Sequence, residues 1–375
     1  VYKEVQMTQR KLLIPGPVDL EDEVLAELGS PLEAHYGPEW VELYNQTTEG
    51  LRTIFGTSGE VYPLVGSGST GLDAAIGTFV ARGQRLAVVR NGFFGERLAE
   101  IAGAYGIEVV PIDVPWGEVA TPEMVRSVLQ ASLPLTALAV VHTETSTGIL
   151  NPVHEIAAVA AEFELPILVD AVSSLGGVEL RMDEWGIDLC VTASQKALAA
   201  PAGLALVAVS QRGWEYMDDH PVESQGWYLN LRTWRRYARE WGDWHPQPVT
   251  MPTGTFKALN LRVRQILDEG LERYIQRHAQ VARRFRAGVR ALGLRPLASD
   301  AAASPLVTAV EVGPGLEPSA LVTTLRDEYG LWIAGGLGPL RNRIVRFGHM
   351  GKAASDVYVE AALAALEEVL QKRRT

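Results

Sequence analysis

The 375-residue chain has little cysteine, no surplus of positive charge and no long apolar stretch. Its one cysteine, Cys190, excludes an internal disulfide and a metal site built from several cysteines, and it fits a reducing compartment. With 45 acidic and 34 basic side chains the net charge is −11, which excludes the basic surface typical of a nucleic-acid-binding protein. The longest uncharged apolar run, residues 197–209, contains Pro201 and is too short for a membrane span of about 20 residues.

The first residues also lack the apolar core of a secretory signal. We therefore expect a cytoplasmic protein with neither a membrane nor a nucleic-acid partner. The histidines show no spacing typical of metal ligands, so we expect no metal site. His35 and His349 are instead candidates for lining a substrate entrance.

The chain does contain enough apolar material for a large core, with 47% hydrophobic and 21% charged residues. Runs rich in Val, Ile and Leu alternate with amphipathic helical patterns. Runs of this kind are buried on both faces, so they predict an α/β fold with a mainly parallel sheet between helices and an active site beyond the strand ends. The predicted strands are Val61–Val65, Leu86–Arg90, Ile107–Ile112, Ala137–His142, Ile167–Asp170, Ile187–Thr192 and Leu204–Val209.

The pattern changes near residue 257, where a long helical pattern begins that continues to Gly293. We predict a large domain over residues 21–255, then a long linking helix and a smaller α+β domain over residues 256–375. Residues 1–20 are predicted to cross between the two domains. The short strands predicted in the smaller domain are Thr308–Val312 and Ile344–Phe347.

Lys196 stands at the centre of the stretch Val191-Thr-Ala-Ser-Gln-Lys-Ala-Leu-Ala-Ala-Pro-Ala-Gly203, with apolar runs on both sides. One interpretation is a lysine that forms a Schiff base with an aldehyde cofactor, because desolvation disfavours the ammonium ion and frees the amine. The other is a surface lysine in the turn between two buried strands. Other motifs must decide between them.

A small-residue loop, Gly66-Ser-Gly-Ser-Thr-Gly71, follows the first predicted strand and opens a helix near Ser69. Glycines let backbone amides approach a ligand, and a helix N-terminus favours a phosphate. The loop lacks the Gly-Lys-Ser/Thr of a Walker motif, and the acidic residue expected after a dinucleotide-binding loop is absent. A phosphate cradle and a simple helix cap therefore both stay open.

Asp170 ends the strand Ile167–Asp170, where it could hold a proton on the ring nitrogen of a pyridine cofactor or could cap a turn. Lys196 lies further along the chain, again at a predicted strand end. Together the small-residue loop, Asp170 and Lys196 meet the three needs of pyridoxal 5'-phosphate, at its phosphate, its ring nitrogen and its aldehyde. The combination favours this cofactor over the structural alternatives.

Six blocks of sequence extend this pattern: Gly66-Ser-Gly-Ser-Thr70, Asn91-Gly-Phe-Phe-Gly-Glu-Arg97, His142-Thr-Glu-Thr-Ser-Thr-Gly148, Val169-Asp-Ala-Val-Ser-Ser-Leu-Gly-Gly177, Ser194-Gln-Lys-Ala-Leu198 and Val345-Arg-Phe-Gly348. They resemble the class V, fold-type I aminotransferases that use pyridoxal 5'-phosphate, in the branch of alanine-glyoxylate and serine-pyruvate aminotransferases. The resemblance runs from about Leu12 to Leu370. It implies a large domain with a seven-stranded mainly parallel sheet and a smaller C-terminal α+β domain.

The resemblance also implies roles for residues at matching positions. Lys196 corresponds to the Schiff-base lysine and proton carrier, and Asp170 to the partner of the ring nitrogen. Arg346 corresponds to the bidentate clamp on the substrate α-carboxylate, with the backbone of Gly16 nearby. The other cofactor-binding positions are Ser67, Gly68 and Ser69 at the phosphate, Gln195 beside the lysine, Phe94 on the ring face, Thr145 at the ring oxygen and Thr250 at the phosphate of the neighbouring subunit.

The activity implied is ping-pong transamination in a homodimer whose active sites are shared across the interface. One carboxylate clamp suggests a small amino acid of the alanine, serine or glycine type, with glyoxylate or pyruvate as acceptor. Pyridoxamine-pyruvate and ureidoglycine-glyoxylate aminotransferases are alternatives, although the former has a further arginine where this chain has Leu337. A desulfurase would need a nucleophilic cysteine, and Cys190 lies in a predicted strand. A lyase and a non-catalytic scaffold complete the alternatives.

Two features depart from the family pattern or stand outside it. Gln247 occupies the position of a cross-subunit tyrosine that contacts the phosphate in relatives, and nearby His245 could replace that tyrosine. Trp227, Trp234 and Trp241 recur every seven residues. That spacing predicts one helical stripe, which we expect to border the subunit interface.

Overall fold

The computed structural model describes residues 10–223, 226–313 and 316–372. Its strands are β1 (Lys11–Leu12), β2 (Glu60–Val65), β3 (Arg85–Arg90), β4 (Glu108–Asp113), β5 (Ala137–Val141), β6 (Thr143–Glu144), β7 (Ile149–Leu150), β8 (Ile167–Asp170), β9 (Leu189–Ala193), β10 (Leu204–Val209), β11 (Arg295–Pro296), β12 (Val307–Glu311), β13 (Leu331–Trp332), β14 (Ala334–Gly335) and β15 (Ile344–Gly348). Its α-helices are α1 (Asp22–Leu28), α2 (Pro38–Phe55), α3 (Gly68–Phe79), α4 (Phe93–Ala104), α5 (Pro122–Ser132), α6 (Val153–Glu162), α7 (Gln211–Asp219), α8 (Leu231–Glu240), α9 (Thr253–Glu269), α10 (Leu271–Ala291), α11 (Pro318–Tyr329) and α12 (Asp356–Lys372). No helix in these described ranges has the length and apolar character needed to cross a bilayer.

Seven strands form the central sheet in the order β2-β10-β9-β8-β5-β3-β4. Strand β10 is antiparallel to both of its neighbours, and the other pairs are parallel. These are the strands predicted from the apolar runs, so the α/β class with a mainly parallel seven-stranded sheet is confirmed. Strand β9 begins at Leu189 rather than at Ile187, and the Asp188 carboxylate before it accepts a hydrogen bond from the Ile167 amide (2.8 Å).

The central strands are covered on both faces. Every residue of β5, β8, β9 and β10 is buried, and most of these residues are Val, Leu, Ile or Ala. Strand β4 lies at the edge of the sheet and alternates between buried and more exposed residues. Burial on both faces explains why the inner strands appear in the sequence as continuous apolar runs.

The loops that leave the carboxyl ends of the parallel strands meet at one edge of the central sheet. Asp170 ends β8, where it lies opposite Val141 of β5 and Val191 of β9. Because β2 is antiparallel to β10, and β10 to β9, the loop between β2 and α3 opens on the same edge. The sheet therefore brings residues 66–71, Asp170 and residues 194–203 together from distant parts of the chain.

A second, antiparallel sheet has the order β11-β12-β15-β14. Val310, Val345 and Phe347 of this sheet pack with α10, α11 and α12 in a core of their own. Helix α9 packs instead on the core of the central sheet, through Phe256 and Val263. The division of the chain near residue 255 stays a prediction.

The helical pattern predicted to run to Gly293 is two helices, α9 and α10. Gly270 separates them with a φ of +90°, a conformation that strains any residue with a Cβ. The glycine turns the chain between α9, on the large core, and the part of α10 around Phe285, on the smaller one. The single long helix is therefore wrong.

Residues 10–18 run from the second sheet to the edge of the central one. Strand β1 pairs in parallel with β13, and the Leu13 carbonyl accepts a hydrogen bond from the Gly348 amide of β15 (2.6 Å). The Val18 amide then donates to the Gln195 carbonyl (3.2 Å). Residues 1–9 of the predicted crossing segment lie outside the described residues.

The tryptophans near α8 do not form one stripe. Trp234 is in the helix and is fully buried by its own chain, whereas Trp227 precedes the helix and Trp241 follows it. Trp227 and Trp241 are 51% and 43% exposed. The expected stripe is therefore wrong, because the helix is too short to include all three and Trp234 packs inward, against Tyr228.

Replacing Gly71 by Ala should destabilise the fold by forcing α3 away from the sheet. A Cβ on Gly71 would lie 2.7 Å from Val191 Cγ1 and 3.1 Å from Ala205 Cβ. We expect the free energy of unfolding to fall by about 1–3 kcal/mol in urea denaturation. Gly103→Ala in α4 is the control, because no atom lies within 4 Å of the added Cβ and helix propensity predicts a gain of up to about 1 kcal/mol. Equal stability of the two variants would contradict the close packing.

Candidate active site

A cavity of about 290 Å³ lies at the carboxyl edge of the central sheet. Its lining includes seven of the residues predicted to bind the cofactor: Ser67, Gly68, Ser69, Phe94, Asp170, Gln195 and Lys196. The other lining residues are Leu72, Arg97, Val141, Thr143, Val172 and Ser173. The fold thus brings the small-residue loop, the strand-end acid and the lysine into one space.

The N-terminus of α3 lines one side of the cavity. Ser67 precedes the helix with an extended backbone, and its amide donates to Thr70 Oγ1 (3.1 Å). The first amides of a helix have no acceptor within it, so those of Gly68 and Ser69 are available to an anion at the positive end of the helix dipole. Gly68 allows close contact with the loop after β8, since a Cβ there would lie 2.7 Å from Val172 Cγ2.

Asp170 places a buried carboxyl group in the cavity, only 4% exposed. Burial raises the pKa of Asp170 to about 7. The hydrogen bond from the Val172 amide to Oδ1 (2.8 Å) lowers this pKa, and the Glu144 carboxylate raises it. A ligand that brings a positive charge to this position would stabilise the ionised form, as a protonated ring nitrogen does.

The Lys196 amine is covered by the N-terminal segment. Its Nζ donates a hydrogen bond to the Pro15 carbonyl (2.5 Å). Gly16 has a φ of +113°, and a Cβ there would lie 2.6 Å from Nζ, so the close passage requires glycine. Burial lowers the pKa of Lys196 to about 8, the Arg346 charge adds to this effect, and Asp170 opposes it. Near pH 8 much of the group is therefore the neutral, nucleophilic amine.

Arg346 lies on β15 and is 7% exposed. Its Nε donates to the Gly335 carbonyl (2.8 Å) and its Nη1 to the Thr145 carbonyl (3.1 Å). Both acceptors are neutral, and no carboxylate of the described chain forms an ion pair with this guanidinium. Burial lowers the pKa of Arg346 to about 10, and the charge of the Glu144 carboxylate opposes this effect. A buried cation whose hydrogen bonds in the described chain go to carbonyl groups is a candidate site for an anionic ligand.

Four predicted residues lie outside the cavity lining. Thr145 is buried and uses its backbone carbonyl to hold Arg346, which is itself not a lining residue. Gly16 packs against the Lys196 side chain from the N-terminal segment. Thr250 is exposed in the single chain. Its predicted contact with a neighbouring subunit stays a prediction.

Gln247 is fully buried and already bonded within the chain. It accepts a hydrogen bond from Trp40 Nε1 (2.9 Å) and donates one to the His35 carbonyl (2.8 Å). His349 is also fully buried, with Nε2 against Thr308 Oγ1 (2.9 Å). Its predicted place at a substrate entrance is therefore wrong, because β15 carries this side chain into the protein interior.

Three polar residues near the cavity had no role in the sequence-based prediction. Arg97 lines the cavity with its guanidinium 5.1 Å from the Phe94 ring centre. Thr143 lines it too, and its buried hydroxyl has no hydrogen-bond partner in the described chain. Glu144 is fully buried beside it. The spacing of three from Phe94 could have indicated Arg97. The Phe94 and Gly95 amides that bind Glu144 are about 50 residues away along the chain, so no local pattern indicated that residue.

A family model described as aminotransferase class-V matches residues 29–342. The chain belongs to the class-V aminotransferases. A Methanocaldococcus jannaschii protein named as an uncharacterized aminotransferase is 36% identical over 98% of this chain and 94% of its own length. A Synechococcus protein named as the small subunit of a soluble hydrogenase is 36% identical over 96% of this chain and 92% of its own. The crystal structure of a Nostoc alanine-glyoxylate aminotransferase matches with a TM-score of 0.92 and 31% identity, covering 99% of this chain and 97% of that one.

This class-V aminotransferase has the fold-type I architecture, uses pyridoxal 5'-phosphate and takes an amino acid and a 2-oxo acid as substrates. The cavity fits the cofactor. Its lining offers the first amides of α3 to a phosphate, the buried acid of Asp170 to a ring nitrogen and the amine of Lys196 to an aldehyde. The unpartnered Thr143 hydroxyl offers one further polar contact.

The buried Asp170 predicts a pH-dependent difference in stability between the cofactor-free protein and Asp170→Asn. The folded-state pKa of about 7 lies above the ordinary value of 3.8, so the contribution of this group to stability is complete below about pH 4 and is lost as the pH rises through 7. Relative to the variant, the native protein should lose about 4 kcal/mol of unfolding free energy between these pH values. Urea denaturation of both cofactor-free proteins at pH 4, 5.5 and 8 measures the difference.

Asparagine keeps the acceptor for the Val172 amide, so the comparison isolates the charge. A difference between the two proteins that is the same at all three pH values would show that the fold leaves the pKa of Asp170 unshifted, and it would contradict the desolvation of this carboxyl group.

Proposed function

We propose that this aminotransferase transfers the amino group of a small amino acid, of the alanine, serine or glycine type, to glyoxylate or pyruvate. The observation that carries the proposal is Arg346, a buried guanidinium whose hydrogen-bond acceptors in the described chain are two backbone carbonyls. One such group matches one α-carboxylate. The name of the Nostoc relative supports alanine and glyoxylate as the pair, and alanine gives pyruvate when it loses its amino group.

When bound, the cofactor supplies an electron-withdrawing ring that stabilises negative charge at the substrate Cα. The Asp170 carboxylate holds a proton on the ring nitrogen and so maintains that electron demand. The Lys196 amine, with its pKa lowered to about 8, accepts the proton from Cα of the amino acid in the first half of the exchange. In the second half it gives a proton to Cα of the amino acid that is formed. Asp170 and Lys196, which hold and move these two protons, thus line one cavity.

Arg346 orients both substrates. Each carries one α-carboxylate, so the same guanidinium binds the amino acid first and the 2-oxo acid second, as a ping-pong exchange requires. The Pro15 carbonyl and Gly16 cover the Lys196 amine from the side of the N-terminal segment and limit its contact with water.

The proposal includes a cytoplasmic homodimer with shared active sites. Thr250 is exposed, which leaves it accessible to a second subunit. The Gln247 amide is already bonded to Trp40 and His35, and His245 Nε2 lies 3.2 Å from His35 Nδ1. Neither side chain is therefore free, as it stands, to replace the cross-subunit tyrosine. The single buried Cys190 supports a reducing compartment.

The substrate class can be read from the visible absorption of the cofactor-loaded protein. L-alanine, L-serine or glycine should remove the long-wavelength band, and glyoxylate or pyruvate should restore it. L-aspartate should act at least about tenfold more slowly, because a second carboxylate would have to be desolvated beside one clamp. A spectrum unchanged by every amino acid would favour the non-catalytic scaffold, and a faster response to L-aspartate would indicate a dicarboxylate site that includes Arg97.

Replacing Arg346 by Gln should raise the KM for L-alanine and for glyoxylate by about 10- to 100-fold, because a charge-assisted bidentate contact is lost. Steady-state kinetics on the same preparation should show a smaller change in kcat. Arg343→Gln is the matched control, since Arg343 lies just before β15 and its side chain is 63% exposed. Equal KM values for Arg346→Gln and the native enzyme would contradict the carboxylate clamp.

A further inference from the structure

We propose that Glu144 is a positioning residue that holds the helix carrying Phe94 and the loop that supports Arg346 in one fixed arrangement. The inference rests on the proposed function, because it takes Phe94 as a wall of the cofactor site and Arg346 as the substrate clamp. Glu144 does not line the cavity. It acts through the groups that it binds.

Both carboxylate oxygens of Glu144 are fully used. Oε2 accepts hydrogen bonds from the Phe94 amide (2.9 Å) and the Gly95 amide (3.1 Å), at the N-terminus of α4. Oε1 accepts from the Ser146 amide (3.0 Å) and the Ser146 hydroxyl (2.5 Å). The hydroxyl in turn accepts from the Phe93 amide (3.0 Å). One side chain therefore joins the first turn of α4 to the loop after β6.

That loop is the turn of the β6–β7 hairpin and supports Arg346. The Glu144 carbonyl accepts from the Thr147 amide (3.2 Å) and the Gly148 amide (2.9 Å), which closes the turn. Thr145, inside the turn, presents its carbonyl to Arg346 Nη1 (3.1 Å). Phe94 and Arg346 are thus linked through Glu144: its carboxylate binds the Phe94 amide, and the next residue, Thr145, binds Arg346 through its carbonyl.

The carboxylate has little freedom to move. It is fully buried, and a Cβ on Gly92 would lie 2.4 Å from Glu144 Cγ and 2.5 Å from Cδ. Burial raises the pKa of Glu144, whereas the hydrogen bonds to its oxygens and the dipole at the start of α4 favour the ionised form. A shorter acid would not reach the α4 amides, and a neutral amide would have one acceptor oxygen for four donors.

These contacts predict a specific kinetic result for Glu144→Gln. The amide leaves at least one buried backbone N–H without an acceptor, so the turn around Thr145 and the start of α4 must shift apart. We expect the dissociation constant for pyridoxal 5'-phosphate and the KM for L-alanine each to rise about tenfold, while kcat changes less than about threefold. Absorption titration of the cofactor-free protein measures the first, and steady-state kinetics measure the others.

A double-mutant cycle with Arg346→Gln distinguishes positioning from general loss of stability. If Glu144 acts on substrate binding through Arg346, Glu144→Gln should raise the KM for L-alanine by less than about twofold when Arg346 is already absent. Additive effects would overturn the proposal. So would a variant that melts at a lower temperature but keeps the native cofactor affinity and KM.

Asp188→Asn is the matched control. Asp188 is another buried carboxylate of the central sheet, bonded to the Ile167 amide and to Arg212 at the opposite ends of the strands. Its replacement should lower stability and leave cofactor affinity and KM within about twofold of native. A tenfold change in either constant for this variant would mean that loss of stability alone explains the Glu144 result.

If Glu144→Gln does not fold, Ser146→Ala provides the test, because it removes only the hydroxyl between Glu144 and the Phe93 amide. It should raise the same two constants about threefold, and unchanged constants would overturn the proposal.

The cofactor titration needs no turnover. A native enzyme inactive with every amino acid would end the proposed function, while the titration would still decide whether Glu144 positions the cofactor wall.

Discussion

The structure depends on keeping charged groups out of water at one edge of the central sheet. Asp170, Lys196 and Arg346 are all largely buried, and none of them is paired with an opposite charge by a direct ion pair in the described chain. Their pKa values move in the direction of the neutral form in each case, to about 7, 8 and 10. Burial of these groups without a charged partner costs the protein folding free energy. The same burial favours the binding of a ligand that brings charges of opposite sign. Pyridoxal 5'-phosphate and an α-carboxylate supply charges of the required kinds.

The two cores of the molecule contribute different parts of this arrangement. The central sheet supplies Asp170 at the end of β8 and Lys196 in the loop after β9, and these two strands are neighbours. The smaller sheet supplies Arg346, whose position relative to the cofactor site depends on contacts between the cores. Those contacts include the Thr145 carbonyl on Arg346 and the N-terminal segment, which is bonded both to Gly348 of β15 and to Lys196. Val178 and Ala197 also pack against Leu306 and Val307.

The sequence predicted much of this, and the reasons for its failures are physical. Inner strands buried on both faces appear as continuous Val- and Leu-rich runs, so the order of elements and the strand-end positions of Asp170 and Lys196 could be predicted. The break at Gly270 was missed because one glycine in a helical pattern is compatible with either a turn or a continued helix. The tryptophan spacing was misleading because α8 ends before Trp241. Glu144 could not be assigned, since its role is defined by amides that are 50 residues away along the chain.

The central claim is that the Lys196 amine reaches the aldehyde of the cofactor inside the cavity that also contains Asp170 and the start of α3. Treating the cofactor-loaded protein with sodium borohydride, followed by proteolysis and peptide mass spectrometry, tests it directly. The reduced cofactor should be attached to the peptide containing Lys196, and to that residue alone. Attachment to a different lysine, or no attachment in a protein that has bound the cofactor, would contradict it.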